Sequence, residues 1–243
     1  MNISDPIKEE KREAIEFMFN SIARSYDFLN SFLSFGIDKL WRKRAIKIIS
    51  KQYKNPYILD VATGTADLSI LAAKTMNAKI VGIDISEKML EIGKEKIIKK
   101  RLLEIVSLIK ADSENIPFPD KNFDVAMVAF GVRNFSDPSK GLFEMHRILR
   151  NTGMIMVLEF SKPRGFPFRH LYNFYFRRVV PLIGWLFSGE KEAYRYLPES
   201  VRKFPDNESF LKMLSDAGFF DMRQIKLTGG IASIYTGFKI SAQ

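Results

Sequence analysis

The feature that most constrains this chain is a repeated change of hydrophobic period between residues 57 and 160. Tyr57-Ile58-Leu59-Asp60-Val61-Ala62 is a short apolar run. It ends in Thr63-Gly64-Thr65 and passes into Asp67-Leu68-Ser69-Ile70-Leu71-Ala72, which has the spacing of a helix. The alternation then recurs. Lys79 to Ile85 predicts a second strand, and Ser86 with Glu87 opens a helix through Ile98. Ile105 to Lys110 predicts a third strand, closed by Ala111-Asp112, and Asp124 to Phe130 a fourth. Pro138 starts a helix that ends near Arg150, with Asn151-Thr152-Gly153 as its stop. Met154 to Phe160 is the fifth strand. Strands alternating with helices require crossover connections, and hence a parallel sheet covered on both faces.

The flanks complete the architecture. Phe17, Ile22, Tyr26 and Leu29-Phe32-Leu33 recur at three- and four-residue steps, and Trp41 to Ile49 repeats the pattern with Lys and Arg on the other face. Residues 161–205 break the alternation. They carry Pro163, Pro167, Pro181, Pro198 and Pro205 and predict an irregular helical insertion. Asp206 is expected to cap a helix to Ala217, stopped by Gly218. Two strands follow, Met222 to Leu227 and Ala232 to Ile240, and the turn Thr228-Gly229-Gly230 makes the last strand antiparallel to its neighbour. The expectation is one α/β domain over 1–243 with a Rossmann-like seven-stranded sheet and an antiparallel last strand. Its parts are a helical cap (1–54), a cofactor-binding core (55–160), a lid insertion before the last helix (161–205) and a closing helix and hairpin (206–243).

Composition narrows the chemistry. A chain of 243 residues can bury a substantial core without cross-links. It has no cysteine, which excludes disulfides, zinc-thiolate centres and thiol nucleophiles and fits a reducing compartment such as the cytoplasm. No metal site is suggested. The opening Met1 to Pro6 lacks an apolar core and runs into Lys8-Glu9-Glu10-Lys11-Arg12-Glu13, unlike a signal peptide. The apolar stretch Val179 to Phe187 is far short of the ~20 residues of a membrane span. The net charge of +10 admits nucleic acid or an anionic membrane surface as partner. Between Lys162 and Lys203, nine Lys/Arg face only Glu190, Glu192 and Glu199, among many of the aromatics. Phe166, Phe168, Tyr172, Phe174, Tyr175, Phe176, Trp185 and Phe187, interleaved with Arg169, Arg177 and Arg178, suit either a peripheral interfacial element at the inner face of the cell membrane or a helix packed on the core.

In open α/β sheets ligands sit outside the carboxyl ends of the strands. That places Asp60 to Asp67, Asp84, Asp112-Ser113 and Gly131 to Asn134 around the ligand. Asp84 lies 20 residues after Gly64, a spacing suited to a carboxylate on ribose hydroxyls. Asp112 can accept from the amine of an adenine, and Gly64 lets backbone approach without a Cβ. Strand-end acids are also common helix caps, so the four placed elements together, rather than any one, favour ligand binding. A dinucleotide needs several glycines so that its pyrophosphate can reach the helix N-terminus. Here the turn has one glycine and two acids, Asp60 and Asp67. Carboxylates repel a pyrophosphate but suit the sulfonium and ammonium of S-adenosyl-L-methionine. The Asn/Asp-Pro-Pro-Tyr/Phe element of nucleic-acid amino-methylating enzymes does not follow the fourth strand. Phe130-Gly131-Val132-Arg133-Asn134-Phe135 stands there, so nucleic acid is not the expected acceptor.

At these residues the chain resembles the menaquinone/ubiquinone biosynthesis C-methyltransferase family, over nearly its whole length. The resemblance is carried by Phe19 to Asn30, Leu59 to Asp67, Asn115-Ile116-Pro117-Phe118-Pro119-Asp120 and Phe130 to Asn134. It continues in Leu158-Glu159-Phe160-Ser161-Lys162-Pro163, Tyr194 to Ser200 and Leu227 to Gly230. It implies the class I methyltransferase sheet and S-adenosyl-L-methionine contacts at Thr65, Asp84 and Asp112-Ser113. The implied reaction is methylation of a polyprenyl quinol ring carbon, of the demethylmenaquinol or of the ubiquinone-pathway type. The Gly64-Thr65-Ala66-Asp67 form is closer to menaquinone-only members. Ala129 stands where some ubiquinone-pathway members have serine. Arg133 is the candidate for stabilising the quinolate oxygen, with an ion pair to a neighbouring acid as the alternative; Asn134 would orient that oxygen or a water. Tyr26 faces either the acceptor or a neighbouring helix. His146 reads as structural and His170 as a surface residue, with action on the substrate as the alternative. A non-catalytic S-adenosyl-L-methionine-binding module is the other class of function, and self-association as a homodimer is left open.

Overall fold

The computed structural model describes residues 6–175, 178 and 191–240. A helix α1 (Pro6–Leu33) is separated from α2 (Ile37–Gln52) by Phe35 and Gly36, both with positive φ. The core then runs β1 (Tyr57–Val61), α3 (Asp67–Thr75), β2 (Lys79–Asp84), α4 (Glu87–Lys99), β3 (Val106–Lys110), β4 (Phe123–Ala129), a 3-10 turn (Val132–Asn134), α5 (Pro138–Ile148) and β5 (Leu149–Phe160). After it come α6 (Phe168–Phe174), α7 (Lys191–Lys203), α8 (Glu208–Asp216), β6 (Phe219–Leu227) and β7 (Ala232–Lys239). The seven strands form one sheet in the order β3-β2-β1-β4-β5-β7-β6. The first five are parallel, and β7 runs antiparallel to both β5 and β6.

Strand alternation divides the core. Ile58, Ile80, Val125 and Met127 pack with Trp41, Ala45, Ile46 and Ile49 of α2 and Leu68 and Ile70 of α3 on one face. Their neighbours Leu59, Val81, Ala126 and Val128 pack with Leu142, Met145 and Ile148 of α5 and Phe210 and Leu214 of α8 on the other. Side chains of successive residues point to opposite faces of a strand, so a run apolar at every position is what two covered faces demand. Each fully buried aliphatic residue contributes roughly 1.5–3 kcal/mol.

The local signals act where the sequence places them, with a few shifts. The Ser86 hydroxyl accepts from Met89 N–H at the start of α4, and Asp137 accepts from Ser139 and Lys140 N–H ahead of Pro138. The expected helix to Arg150 instead ends at Ile148, because Leu149 already pairs with Phe123 and β5 runs through Asn151-Thr152-Gly153. Asp206 does not cap α8. Its carboxylate accepts from the Lys162 backbone N–H at 2.7 Å, and the residue before α8 is Asn207, with φ 54° and no side-chain cap. The strand expected from Met222 begins at Phe219, with a bulge at Asp221, whose φ is positive.

Helix α1 lies across the carboxyl ends of the strands, held by polar residues recurring along one face. Lys8 pairs with Asp137 (2.8 Å), Arg12 with Asp112 (3.1 Å) and Glu16 with Lys110 (2.8 Å). Asn20 accepts from the Ser86 hydroxyl (2.8 Å), and Asp27 pairs with Lys96 (2.5 Å). Steps of about four residues keep side chains on one side of a helix, so a single face meets β3, α4 and the loop before α5. In the insertion, Phe168 packs on Gly229, where a Cβ would lie 2.3 Å from the ring. Phe176, Arg177, Trp185 and Phe187, and the apolar stretch Val179 to Phe187, lie outside the described residues.

Candidate active site

The sheet order reverses between β1 and β4: the chain moves outward from β1 through β2 to β3, then returns to β4 on the far side of β1. A crevice opens at such a switch point. Over it lies a cavity of about 670 Å³, counting its open mouth. Its sheet side is formed by Gly64, Asp84, Asp112, Ser113, Phe130 and Asn134, and α1 closes it with Arg12, Ile15, Phe19 and Tyr26. A smaller cavity shares Tyr26, Ala62, Gly64 and Ala129 with it and adds Asp60, Thr63, Thr65 and Asp67.

The turn between β1 and α3 is wound tightly. Ala62, Gly64 and Ala66 have φ of 53°, 57° and 64°, a left-handed conformation that costs an alanine ~1 kcal/mol. The turn is held there by Thr63 N–H on Ile83 O (2.9 Å) and by Gly64 N–H on Asp84 Oδ2 (2.7 Å). The requirement at Gly64 is its φ; a Cβ would come no closer than 4.0 Å to Tyr26. Close approach matters at Gly131 instead, where a Cβ would lie 2.7 Å from the Ala62 Cβ and 2.9 Å from Val128 Cγ2. The loops after β1 and β4 touch only because Gly131 has no side chain.

Asp84 ends β2 and is buried. Its oxygens accept from Gly64 N–H and Ser86 N–H (2.9 Å), one donor each. Both keep a lone pair for a further donor, the arrangement a ribose diol requires. Burial pushes its carboxyl up to about 6, against the lowering effect of the Ser86, Gly64 and Ile85 N–H groups. Asp60 is fully buried: Oδ2 accepts from Thr63 (2.7 Å) and Ser69 (2.6 Å), while Oδ1 has no partner. Burial raises it too, to about 6, opposed by the Ser69 and Thr63 hydroxyls. A buried, unpartnered carboxylate oxygen is costly unless a donor arrives, and a ligand ammonium in the smaller cavity would supply one. The two acids together fit a nucleoside that carries a cationic tail.

Of the nine residues singled out in the sequence, Tyr26, Gly64, Asp84, Asp112, Ser113 and Asn134 line the large cavity. Asp60 and Thr65 line the smaller one, and Arg133 lines neither. Three of the nine have partners within the protein. The Thr65 hydroxyl donates to Asp27 (2.5 Å) and accepts from Lys96 (2.9 Å), so it ties the turn to α1 and α4. Asp112 is already engaged, by Arg12 and by Glu114 N–H (2.8 Å). Arg133 is not an unpaired cation: it donates to Glu159 Oε1 at 2.8 Å and to the Phe130 carbonyl, with its guanidinium carbon 5.4 Å from the Phe160 ring centre. Arg133 is nearly buried and Glu159 completely so. Burial drives the Glu159 carboxyl up, and Arg133 and two N–H donors bring it down. The Arg133 Nε–H, also buried, has no acceptor.

Sequence reasoning missed other parts of the site. Arg12, Ile15 and Phe19 enter from α1, and no local pattern marks which helical residues face a remote cavity. Glu159 carried a signal, a lone charge within the apolar run of β5. Tyr196 of α7 donates its hydroxyl to Asn134 Oδ1 (3.2 Å), joining the insertion to the site. His146 packs edge-on against Phe219 and lies away from both cavities.

The sequence and the fold both match known proteins. Residues 6–239 match the ubiE/COQ5 methyltransferase family. A "Ubiquinone/menaquinone biosynthesis C-methyltransferase UbiE" of Geotalea uraniireducens is 48% identical over 95% of this chain and 98% of its own length. A "Demethylmenaquinone methyltransferase" of Bacteroides fragilis is 41% identical over 95% and 94%. Among solved structures, a SAM-dependent methyltransferase from Thermotoga maritima superposes with a TM-score of 0.65 at 20% identity, over 93% of this chain and 99% of that one. One from Aquifex aeolicus gives 0.58 at 20%, over 81% and 89%. These two share the fold; the family rests on the match along nearly the whole sequence. The chain belongs to the ubiE/COQ5 methyltransferase family.

Proposed function

We propose that this protein transfers a methyl group from S-adenosyl-L-methionine to a ring carbon of a polyprenyl quinol, converting demethylmenaquinol to menaquinol. The observation that carries the reading is the pair of buried acids at the switch point, Asp84 with spare lone pairs and Asp60 with an orphaned oxygen. The names of the relatives supply the acceptor class. When bound, S-adenosyl-L-methionine supplies an electrophilic methyl group on a sulfonium. Asp84 would hold its ribose hydroxyls and Asp60 its ammonium, and Asp112 and Ser113 would flank the adenine. Helix α1 excludes water from the large cavity through Ile15 and Phe19, with Tyr26 at the junction of the two cavities.

Only an electron-rich ring attacks a methyl sulfonium, so the site must favour the ionised quinol. Asn134, in the cavity wall, presents an amide to the acceptor oxygen. Arg133 acts from behind it, neutralised by Glu159 and donating to the same Phe130 carbonyl that accepts from the Asn134 amide. A donor placed where charge develops stabilises the transition state more than the ground state. Alignment of carbon, methyl and sulfur contributes roughly 7–11 kcal/mol in well-oriented systems.

The described parts of the insertion, 161–175, 178 and 191–205, serve as the lid, and the exposed Phe166 and Phe174, with Arg169 and Arg178, meet an anionic membrane surface that holds the acceptor's tail. No described helix is long and apolar enough to cross a membrane. Incubation with methyl-labelled S-adenosyl-L-methionine and reduced demethylmenaquinone tests the reading. Label in an organic-soluble quinol of one added methyl is expected; label that never leaves the aqueous phase overturns it.

A further inference from the structure

We propose that Tyr196 is a positioning residue of the methyl-transfer site: its hydroxyl, brought by the insertion helix α7, fixes the Asn134 amide that faces the acceptor. The inference rests on the function just proposed. Asn134 closes the 3-10 turn after β4, is nearly buried and lines the large cavity. Its amide has two donor and two acceptor positions. One N–H goes to the Phe130 carbonyl at 3.3 Å, and Oδ1 accepts from the Tyr196 hydroxyl at 3.2 Å. One N–H and one lone pair remain for the cavity.

The two contacts divide the work. The Phe130 carbonyl can only accept, so it selects which end of the amide carries hydrogens. The terminal torsion of asparagine is broad, and a single long hydrogen bond leaves it loose. The Tyr196 hydroxyl on the opposite end sets the angle, and with it the direction of the remaining N–H. Nothing in packing requires that hydroxyl, because phenylalanine fills the same space. Tyr196 is largely withdrawn from water, and its hydroxyl is raised by burial, lowered by Arg133 and raised by Glu159, which places it in the field of that ion pair. Asn134 and Tyr196 are 62 residues apart in the chain. The bond therefore makes the acceptor site complete only when α7 is seated.

Tyr196→Phe tests this. We expect kcat for the reduced quinol to fall roughly ten- to a hundredfold, the scale of a small misplacement of a reacting group. S-adenosyl-L-methionine affinity by calorimetry and the acceptor KM should each stay within about threefold. In the Asn134→Ala background the same change should cause no further loss, which simple loosening of α7 would not reproduce. The side-chain amide resonance of Asn134, assigned by its disappearance in Asn134→Ala, should shift and broaden in Tyr196→Phe. That signal requires no acceptor: if the wild-type protein methylates no quinol, the proposed function fails while the resonance still reads the hydrogen bond. An unchanged kcat, a loss that adds to that of Asn134→Ala, or an unmoved amide resonance overturns the role of Tyr196.

Discussion

Replacing Arg133 by alanine should destabilise the fold by an amount set by Glu159, and the effect should shrink as pH falls. The substitution leaves the Glu159 carboxylate, fully buried, with only the N–H groups of Phe160 (2.9 Å) and residue 133 (3.4 Å). Breaking a buried ion pair from one side typically costs about 3–5 kcal/mol. Protonation provides a way out and a ceiling. Neutralising a carboxyl of ordinary pKa about 4.3 at pH 7 costs 2.7 units at about 1.36 kcal/mol each, or ~3.7 kcal/mol. The expected loss at pH 7 is therefore ~3–4 kcal/mol relative to the wild type. The sign with pH follows from linkage. In the variant the folded state holds a proton on Glu159 that the unfolded state has released between about pH 4.3 and 7, so the deficit falls by up to ~1.4 kcal/mol per unit on acidification. Urea unfolding of the ligand-free proteins at pH 7 and 5.5 measures both quantities, and Arg133→Ala/Glu159→Gln should recover most of the loss. A deficit below about 1 kcal/mol at pH 7, or one equal at both pH values, would refute the buried pair as the determinant.

Asp84→Ala should weaken S-adenosyl-L-methionine binding by ~1.5–3 kcal/mol, the scale of hydrogen bonds to a charged acceptor; unchanged calorimetric affinity in a folded variant would contradict the ribose role. Gly131→Ala forces a methyl to 2.7 Å from the Ala62 Cβ, so the two loops must part. A stability loss of ~1–3 kcal/mol together with weakened cofactor binding is expected, and wild-type behaviour in both measurements argues against close approach. Because burial holds Asp60 near 6, protonation on acidification removes the charge that receives the ammonium. Cofactor affinity should drop as pH passes below about 6, and Asp60→Asn should bind weakly with a flatter profile; an unaltered pH dependence in that variant removes Asp60 from the site.

The central sheet was legible because burial on both faces writes itself as runs such as Ile58-Leu59 and Val125 to Val128, apolar at successive positions. The buried strand-end acids Asp60 and Asp84 were legible for a related reason, since a charge stands out at the end of an apolar run. Boundaries failed where tertiary pairing overrode local signals. Leu149 left its helix to pair with Phe123, and Asp206 turned to Lys162 instead of capping α8. The stripe of α1 from Lys8 to Asp27 was invisible because its partners, from Thr65 to Asp137, are far away in sequence. Arg133 was singled out, yet its ion-pair partner is Glu159, a residue 26 positions away on β5.

Dependence on the acceptor's redox state tests the central claim most directly. Ring attack on a sulfonium needs electron density at carbon, which the quinol supplies and the quinone lacks. The chain has no cysteine with which to reduce a quinone itself. Methyl transfer should be followed with one demethylmenaquinone analogue, half of it kept reduced by a chemical reductant and half oxidised, with the new methyl located by NMR. Turnover is expected in the reduced sample alone, with the methyl on a ring carbon. Equal rates in both samples, or a methyl found on oxygen, would contradict it.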